Sequence, residues 1–329
     1  MQNALRQLAA LAKTTAAEGL RQPAALLVAL SFYYATVLTP FFQAFQFGEP
    51  GRMVRDGGLA FMLLAGIALS VCTAAATVRR EIAGGAAAAA LTRPLSRGRF
   101  LCGKFCGVAG VLLLFSLFAL AVILMAERVS ERFRVEAAFM GYVMDARLAI
   151  GLLGMPPAAL AFAGVRHFRR RGHFCTTAFA GMLAGLALLL AYCGGFNPAG
   201  HWQGRFAPHL NLPVAGAALL ILLALWLLAA LAVALATRLE MMPVLALCAA
   251  TVALGLVADP VLGIHPPFSP LGLLTALAPN LQHFWLNDAL AGGGAIPVAY
   301  LWSAFRYTAC WVLLALLAGA GALQTREIA

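Results

Sequence analysis

The segment from Gly98 to Phe105 comes closest to a recognised chemical motif. Residues 98–104 have the sequence GRFLCGK and fit the first seven positions of the P-loop pattern G-x-x-x-x-G-K-[ST], in which backbone amides and the lysine hold nucleotide phosphates. The eighth position is Phe105 instead of the hydroxyl residue that binds Mg²⁺, and no hydrophobic strand precedes Gly98. We therefore expect no cofactor in this chain: any ATP and Mg²⁺ that the protein uses are bound by a partner subunit.

The histidines and cysteines lack the spacing of a metal or catalytic site. None of the six His forms an H-E-x-x-H motif or an i, i+4 pair, and the seven Cys contain no C-x-x-C pair and fall in or next to apolar runs. A site at His201 and His209, near Trp202, is a minor alternative. We predict no catalytic residue, no metal and no disulfide framework.

Acidic residues inside membrane spans usually mark proton or ion coupling. No centre of an apolar run in this sequence holds Asp, Glu, Lys or Arg, so an ion-driven carrier would lack its usual coupling groups. A membrane-embedded enzyme is an alternative that needs a polar cluster facing a cavity. The residues that could begin one are Asp145, Asp259, His265 and Asp288.

The composition predicts a membrane protein. Of the 329 residues, 63% are hydrophobic and 11% are charged, which is more apolar surface than a soluble domain of this length could bury. The net charge of +11 would suggest a nucleic-acid partner in a soluble protein. Here the basic residues flank apolar runs, where they indicate orientation and contact with an anionic lipid surface, so the bilayer is the expected partner and nucleic acid is not.

The apolar runs are continuous rather than alternating, and backbone amides in lipid must be hydrogen-bonded internally, so we predict an all-α transmembrane helix bundle. Residues 23–329 form a single transmembrane domain in this prediction. A six-span alternative leaves 127–211 outside the membrane and partly re-entrant. The eight predicted spans are 24–42, 58–78, 103–126, 148–165, 174–193, 212–236, 242–258 and 298–323.

The basic residues favour eight spans with both termini in the cytoplasm. Arg166 and residues 169–171 form a dense basic patch after the run 148–165, and this patch is cytoplasmic only if that run crosses the membrane. The eight-span arrangement places 15 of the 23 basic residues in the cytoplasm but only 4 of the 12 acidic ones. This segregation obeys the positive-inside rule.

Four segments are expected outside the spans. Residues 1–22 have apolar positions at helical spacing, which predicts an interfacial amphipathic helix rather than a cleavable signal. Residues 79–102 form a basic cytoplasmic loop. Residues 127–147 mix both charges at helical spacing and predict a solvated extension of the third span. Residues 259–297 hold six prolines and no Lys or Arg, which predicts an extracytoplasmic or re-entrant element.

The basic loop resembles the signature E…G…L-x-x-P-[VL]-S-R…G-K of the ABC transporter type-2 permeases, the membrane subunits of many bacterial ABC exporters. The matching positions are Glu81, Gly85, Leu91, the sequence RPLSR at 93–97, and GK at 103–104. The sequence LATRL at 235–239 resembles that family's L-S-T-R-L turn. The sequences QTREI at 324–328 and PNLQHFW at 279–285 also resemble segments of its members.

The resemblance implies a multi-pass subunit of the bacterial inner membrane that pairs with a second permease, identical or different, and with cytoplasmic ABC ATPase subunits. In that family the loop between the second and third spans forms a coupling helix that docks on the ATPase. Carried over by position, Arg80, Glu81 and Gly85 lie on or beside that helix, and Arg93, Pro94, Ser96, Arg97 and Lys104 guide the chain back into the third span. With Arg79, these are the implied coupling residues.

Two departures from the family pattern affect this expectation. Ala86 to Ala90 replace the usual polar or charged residues after the glycine, so we expect the docking surface to be less charged or to shift toward Arg79 and Arg80. The family pattern has six spans, which leaves residues 148–193 without an implied role. A non-transporting scaffold of a membrane assembly remains an alternative, and no motif identifies a substrate.

Overall fold

The computed structural model describes residues 2–42, 51–83, 97–130, 132–136, 139–170, 172–197, 201–202, 204, 210–257, 279–286, 288–290 and 294–324. Within these ranges the chain is almost entirely helical. The α-helices are α1 (Gln2–Arg21), α2 (Pro23–Phe42), α3 (Arg52–Ala83), α4 (Arg97–Val129), α5 (Ala146–Arg170), α6 (Phe174–Gly195), α7 (Val214–Leu235), α8 (Met241–Val257) and α9 (Val298–Gln324). A short 3₁₀ turn spans Gln282–Phe284.

Seven of these helices, all except α1 and α8, are long and apolar enough to cross a bilayer. Each of the eight predicted spans falls on a helix. The shortest is α8, whose 17 residues are apolar but fewer than a full crossing usually needs. Within the described residues the predicted helical architecture is confirmed, with seven helices long and apolar enough to cross a membrane.

The core of the bundle is formed by α3, α4 and α7, which pack against one another. In the apolar stretch of α7, 78% of the residues are buried, because its sequence is rich in Leu, Ala and Val on every face. The last helix, α9, lies on α7 and α4 with only 11% of its apolar stretch buried. The bundle therefore has a closed interior and one helix with a largely open face.

Contacts near the helix ends define two ends of the bundle. At one end Arg79 of α3 meets Glu240 before α8, and Arg97 of α4 meets Leu323 of α9; we call this the basic end. At the other, Asn211 before α7 meets Glu127 of α4; we call this the distal end. Successive helices from α3 to α8 thus alternate in direction, and α9 ends at the basic end.

The first helix, α1, runs along α4 in the same direction. Leu11 packs on Gly103, and Thr15 packs on Gly107, four residues further along each helix. These small residues allow the two backbones to approach closely. A helix is therefore present where the sequence predicted one, and it lies along α4. Its location at the membrane surface stays a prediction.

The segment after α4 corrects one prediction. The strands β1 (Arg132–Glu136) and β2 (Phe139–Val143) pair antiparallel, so the helical extension predicted over 127–147 is wrong at these two segments. The sequence RFRVE of β1 alternates charged and apolar residues with a period of two, which is typical of a strand. The alternating signs of the charges had suggested helical pairing, whereas the apolar period indicates the correct element.

Helices occupy both margins of the predicted loop 79–102. The third helix continues to Ala83, immediately before the Gly84-Gly85 pair, and α4 begins at Arg97, three residues after Pro94. Helix-favouring residues precede the glycines, so the helix has no reason to end at the bilayer boundary. Residues 84–96 lie outside the described residues. Of the predicted 259–297 element, the structure describes 279–286, 288–290 and 294–297.

Candidate coupling site at the basic end

Arg79 joins the last turns of α3 to the connection between α7 and α8. Its Nη2 atom lies 3.3 Å from Oε1 of Glu240, and the two side chains are 44% and 76% exposed. Exposed pairs of this kind contribute only about 0–1 kcal/mol to stability because water and salt screen them. The contact therefore adds little to the stability of the bundle, but it places the end of α3 next to the connection between α7 and α8.

Two further arginines hold the last turn of α9. Nη1 of Arg97 donates to the carbonyl oxygen of Leu323 at 3.1 Å. Nε and Nη2 of Arg238 donate to the carbonyl oxygen of Ala322 at 3.1 and 2.6 Å. The last carbonyls of a helix lack internal donors and carry a partial negative charge, so cations are favoured there. The beginning of α4 and the segment after α7 are thus both fastened to the end of α9.

Together these contacts connect both margins of residues 84–96 to the rest of the basic end. The α3 margin is linked to the α7–α8 connection through Arg79, and the α4 margin is linked to α9 through Arg97. A displacement of the segment between them would act on helices that are distant in sequence.

Lys104 has a different environment from the one expected of a docking residue. Its side chain is fully buried in the second turn of α4, and its Nζ lies 5.8 Å from the centroid of the Phe100 ring. A buried lysine cannot itself contact a docked protein, so any part it has in coupling is to position α4. Residues 98–104 are helical, and a helix does not present the loop of amides that holds phosphates.

The remaining predicted coupling residues are only partly described. Arg80 and Glu81 lie in the helical backbone of α3, but the structure describes no side chain there. Gly85, Arg93, Pro94 and Ser96 lie outside the described residues. Their assignment to the coupling loop stays a prediction from the resemblance.

A buried charge cluster at the distal end was missed by sequence reasoning. Arg128, expected to be solvated, is 2% exposed. Its Nε lies 3.3 Å from Oδ2 of Asp145, while Nη1 and Nη2 donate to the carbonyl oxygens of Cys193 and Phe196 at 2.6 and 2.7 Å. The guanidinium thus joins α4, the start of α5 and the end of α6. The local sequence gives one usable signal: Asp145 immediately precedes α5, which is the preferred place for a capping aspartate.

The acids considered for an enzyme site are engaged elsewhere or lie outside the described residues. Oδ1 of Asp145 accepts from the backbone amide of Leu148 at 3.2 Å, in addition to the pair with Arg128. Asp288 is 97% exposed and lies 3.2 Å from Arg52. Asp259 and His265 are not described. Among the described residues, no group of three or more His, Cys, Asp or Glu is placed to hold a metal ion.

Comparison with known proteins adds no family assignment to this geometry. No protein-family model matches the sequence, and no curated protein matches it.

Proposed function

We propose that this chain is the membrane subunit of an ATP-driven exporter, which receives movement from a separate cytoplasmic ATPase through residues 79–102. The observation that supports this most directly is the pair of contacts at the margins of that segment, Arg79 with Glu240 and Arg97 with Leu323. They provide a path from a docked partner into helices across the bundle. The resemblance of the intervening motif to type-2 permeases supports the same function.

The proposal places the basic end in the cytoplasm of a bacterial cell and counts α8 as an eighth crossing. The basic end carries an excess of arginine, including Arg97, Arg166, Arg169 and Arg238, as the positive-inside rule requires of a cytoplasmic face. At the distal end Arg52 and Arg128 are each paired with an aspartate. The charge asymmetry between the two ends supports this orientation.

In the proposed mechanism, dimerisation of the ATPase subunits pushes the segment between α3 and α4. Arg79 passes the displacement to the α7–α8 connection, and Arg97 passes it to the end of α9. Helices tied at their ends move as rigid bodies, because packed interiors do not deform continuously. The movement would alternate access to a pathway between this subunit and a second permease, identical or different.

Copurification and ATP turnover test the proposal. The chain is expressed in its native host with a tag, and any ABC ATPase bound to it is recovered through that tag. We expect Glu81→Lys to lower ATPase recovery and stimulated ATP turnover by about tenfold, which corresponds to roughly 1.4 kcal/mol of docking energy. Asp288→Lys is the matched control, since it reverses an exposed acid at the distal end.

Two outcomes would overturn the proposal. If no ATPase is ever recovered with the chain, the exporter assignment fails. If an ATPase is recovered but its turnover is the same with and without this subunit, the chain acts as a non-transporting scaffold instead.

A further inference from the structure

The helices α5 and α6 form a hairpin on the periphery of the bundle. They pack on each other through small residues, with Gly181 on Ala159 and Gly185 on Met155. Near the distal end the hairpin is fastened by Arg128 and by the hydroxyl of Tyr33, which donates to the carbonyl oxygen of Leu152 at 2.7 Å. Toward the basic end, one face of α5 is left open.

That open face carries a stripe that changes from apolar to basic along the helix. The stripe consists of Phe162, Val165, Arg166 and Arg169, which are spaced i, i+3, i+4 and i+7 and therefore lie on one side of α5. These four residues line an open cleft of about 310 Å³. Phe162 and Val165 are 59% and 54% exposed, and both arginines are exposed. The stripe extends about 10 Å along the axis at a rise of 1.5 Å per residue, and its basic part lies nearest the basic end.

Nothing acidic in the described part of the chain neutralises these arginines. Asp145 is the only acidic residue between Glu136 and Glu240, and its carboxylate is paired with Arg128 at the distal end. The neighbouring His167 is occupied, since its Nδ1 lies 2.6 Å from the carbonyl oxygen of Gly172. The stripe therefore presents two guanidinium groups next to exposed apolar side chains.

We propose that this stripe binds an anionic phospholipid, with the phosphodiester between Arg166 and Arg169 and an acyl chain along Phe162 and Val165. Guanidinium groups match phosphate oxygens with paired hydrogen bonds. The apolar part of the cleft favours a lipid over a soluble phosphate. Phe168, which is 91% exposed beside the arginines, supplies an aromatic ring at headgroup depth.

The helices α5 and α6 have no counterpart in the six-span family pattern, and lipid binding would give this pair a role. It does not depend on ATP-driven transport, since it concerns only the leaflet that faces the basic end. The stripe is expected to select lipids with an anionic headgroup at this one position. This differs from the general attraction of a basic protein to acidic membranes.

Lipid retention on the full-length protein tests the proposal. Delipidated protein in a neutral detergent is mixed with equal amounts of phosphatidylglycerol and phosphatidylcholine, and the bound lipids are counted by native mass spectrometry. We expect Arg166→Gln and Arg169→Gln each to weaken phosphatidylglycerol binding roughly fivefold, and the double variant about 25-fold. Arg147→Gln is the matched control, because Arg147 is exposed on the same helix at the distal end. It should bind as the wild type does.

Three results would overturn the proposal. Equal losses in Arg147→Gln and in the double variant would mean that only the total charge matters. Displacement of the lipid by inorganic phosphate at similar concentration would indicate a soluble-anion site. Unchanged lipid retention with loss of a copurifying protein would indicate a protein-docking surface. Both arginines are exposed, so an unaltered size-exclusion profile serves as the check that the variants fold.

Discussion

The Nε atom of Arg128 lies 3.3 Å from Oδ2 of Asp145, and both side chains are almost completely buried, at 1% and 2% exposure. The other guanidinium nitrogens donate to the carbonyl oxygens of Cys193 and Phe196. A buried charge is tolerated only when it is paired and hydrogen-bonded, and here both conditions are met. The pair therefore holds three helices together at the distal end, and neither partner is dispensable alone.

We predict that Asp145→Asn destabilises the protein by about 3–5 kcal/mol, because it leaves the buried guanidinium without a compensating charge. Asparagine also caps helices well, so the bond to the amide of Leu148 can persist and the loss can be assigned to the charge. Denaturant unfolding of the purified protein in detergent measures the change. Asp288→Asn is the control: its exposed pair with Arg52 should contribute less than about 1 kcal/mol. Similar losses in the two variants would contradict the prediction.

The pair of Arg79 and Glu240 is expected to affect coupling rather than stability. Both side chains are well exposed, so either single charge reversal should change the unfolding free energy by less than about 1 kcal/mol. We predict that Arg79→Glu and Glu240→Arg each lower the ATP turnover that the subunit stimulates, and that the double variant restores it. Turnover of the reconstituted complex in vesicles measures this. If the double variant fails to restore the turnover that the single variants lose, Arg79 acts by contacting the ATPase directly and not through Glu240.

The packing of α1 on α4 gives a matched pair of glycine substitutions. A Cβ atom at Gly107 would lie 2.5 Å from Cβ of Thr15 and 2.8 Å from the carbonyl oxygen of Ala12, whereas a Cβ at Gly110 would meet nothing within 4 Å. We predict that Gly107→Ala destabilises the protein by about 1–3 kcal/mol through overpacking. Gly110→Ala should instead stabilise α4 by roughly 0.5–1 kcal/mol, since alanine favours helices. If both substitutions change the unfolding free energy in the same direction, α1 does not pack on α4 in this way.

The helices were predictable because a long, uninterrupted run of apolar residues indicates a helix and can be recognised from the local sequence alone. Every predicted span corresponds to a helix, and even the run 148–165, with its two prolines, lies within α5. The boundaries were less predictable. Hydropathy marks where a bilayer would end, but α3 and α4 extend beyond that limit, since nothing in their sequences breaks the helix there.

The contacts at both ends were not predictable, because each joins residues that are far apart in sequence. Arg97 was assigned to coupling from a motif, but its bond to the carbonyl of Leu323, 226 residues away, depends on how α4 and α9 pack. Arg128 was expected to be solvated because residues 127–147 mix both charges at helical spacing. Only the tertiary structure shows that the ends of α5 and α6 enclose it.

The orientation of the bundle can be tested at two positions that flank α7. Trp202 is 74% exposed and packs against Phe196 just beyond α6, at the distal end, while Glu240 is 76% exposed at the basic end. If α7 crosses the membrane with the basic end inside, a membrane-impermeant thiol reagent should label Trp202→Cys but not Glu240→Cys in intact cells.

Inside-out vesicles should give the reverse labelling of these two variants. The parent protein needs Ala at its exposed cysteines, Cys106 and Cys310, and should remain unlabelled in both preparations. Labelling of Glu240→Cys from outside the cell would place residues 84–96 on the face away from any cytoplasmic ATPase. That result would contradict the proposed coupling, because a cytoplasmic ATPase could not then contact the segment between Arg79 and Arg97.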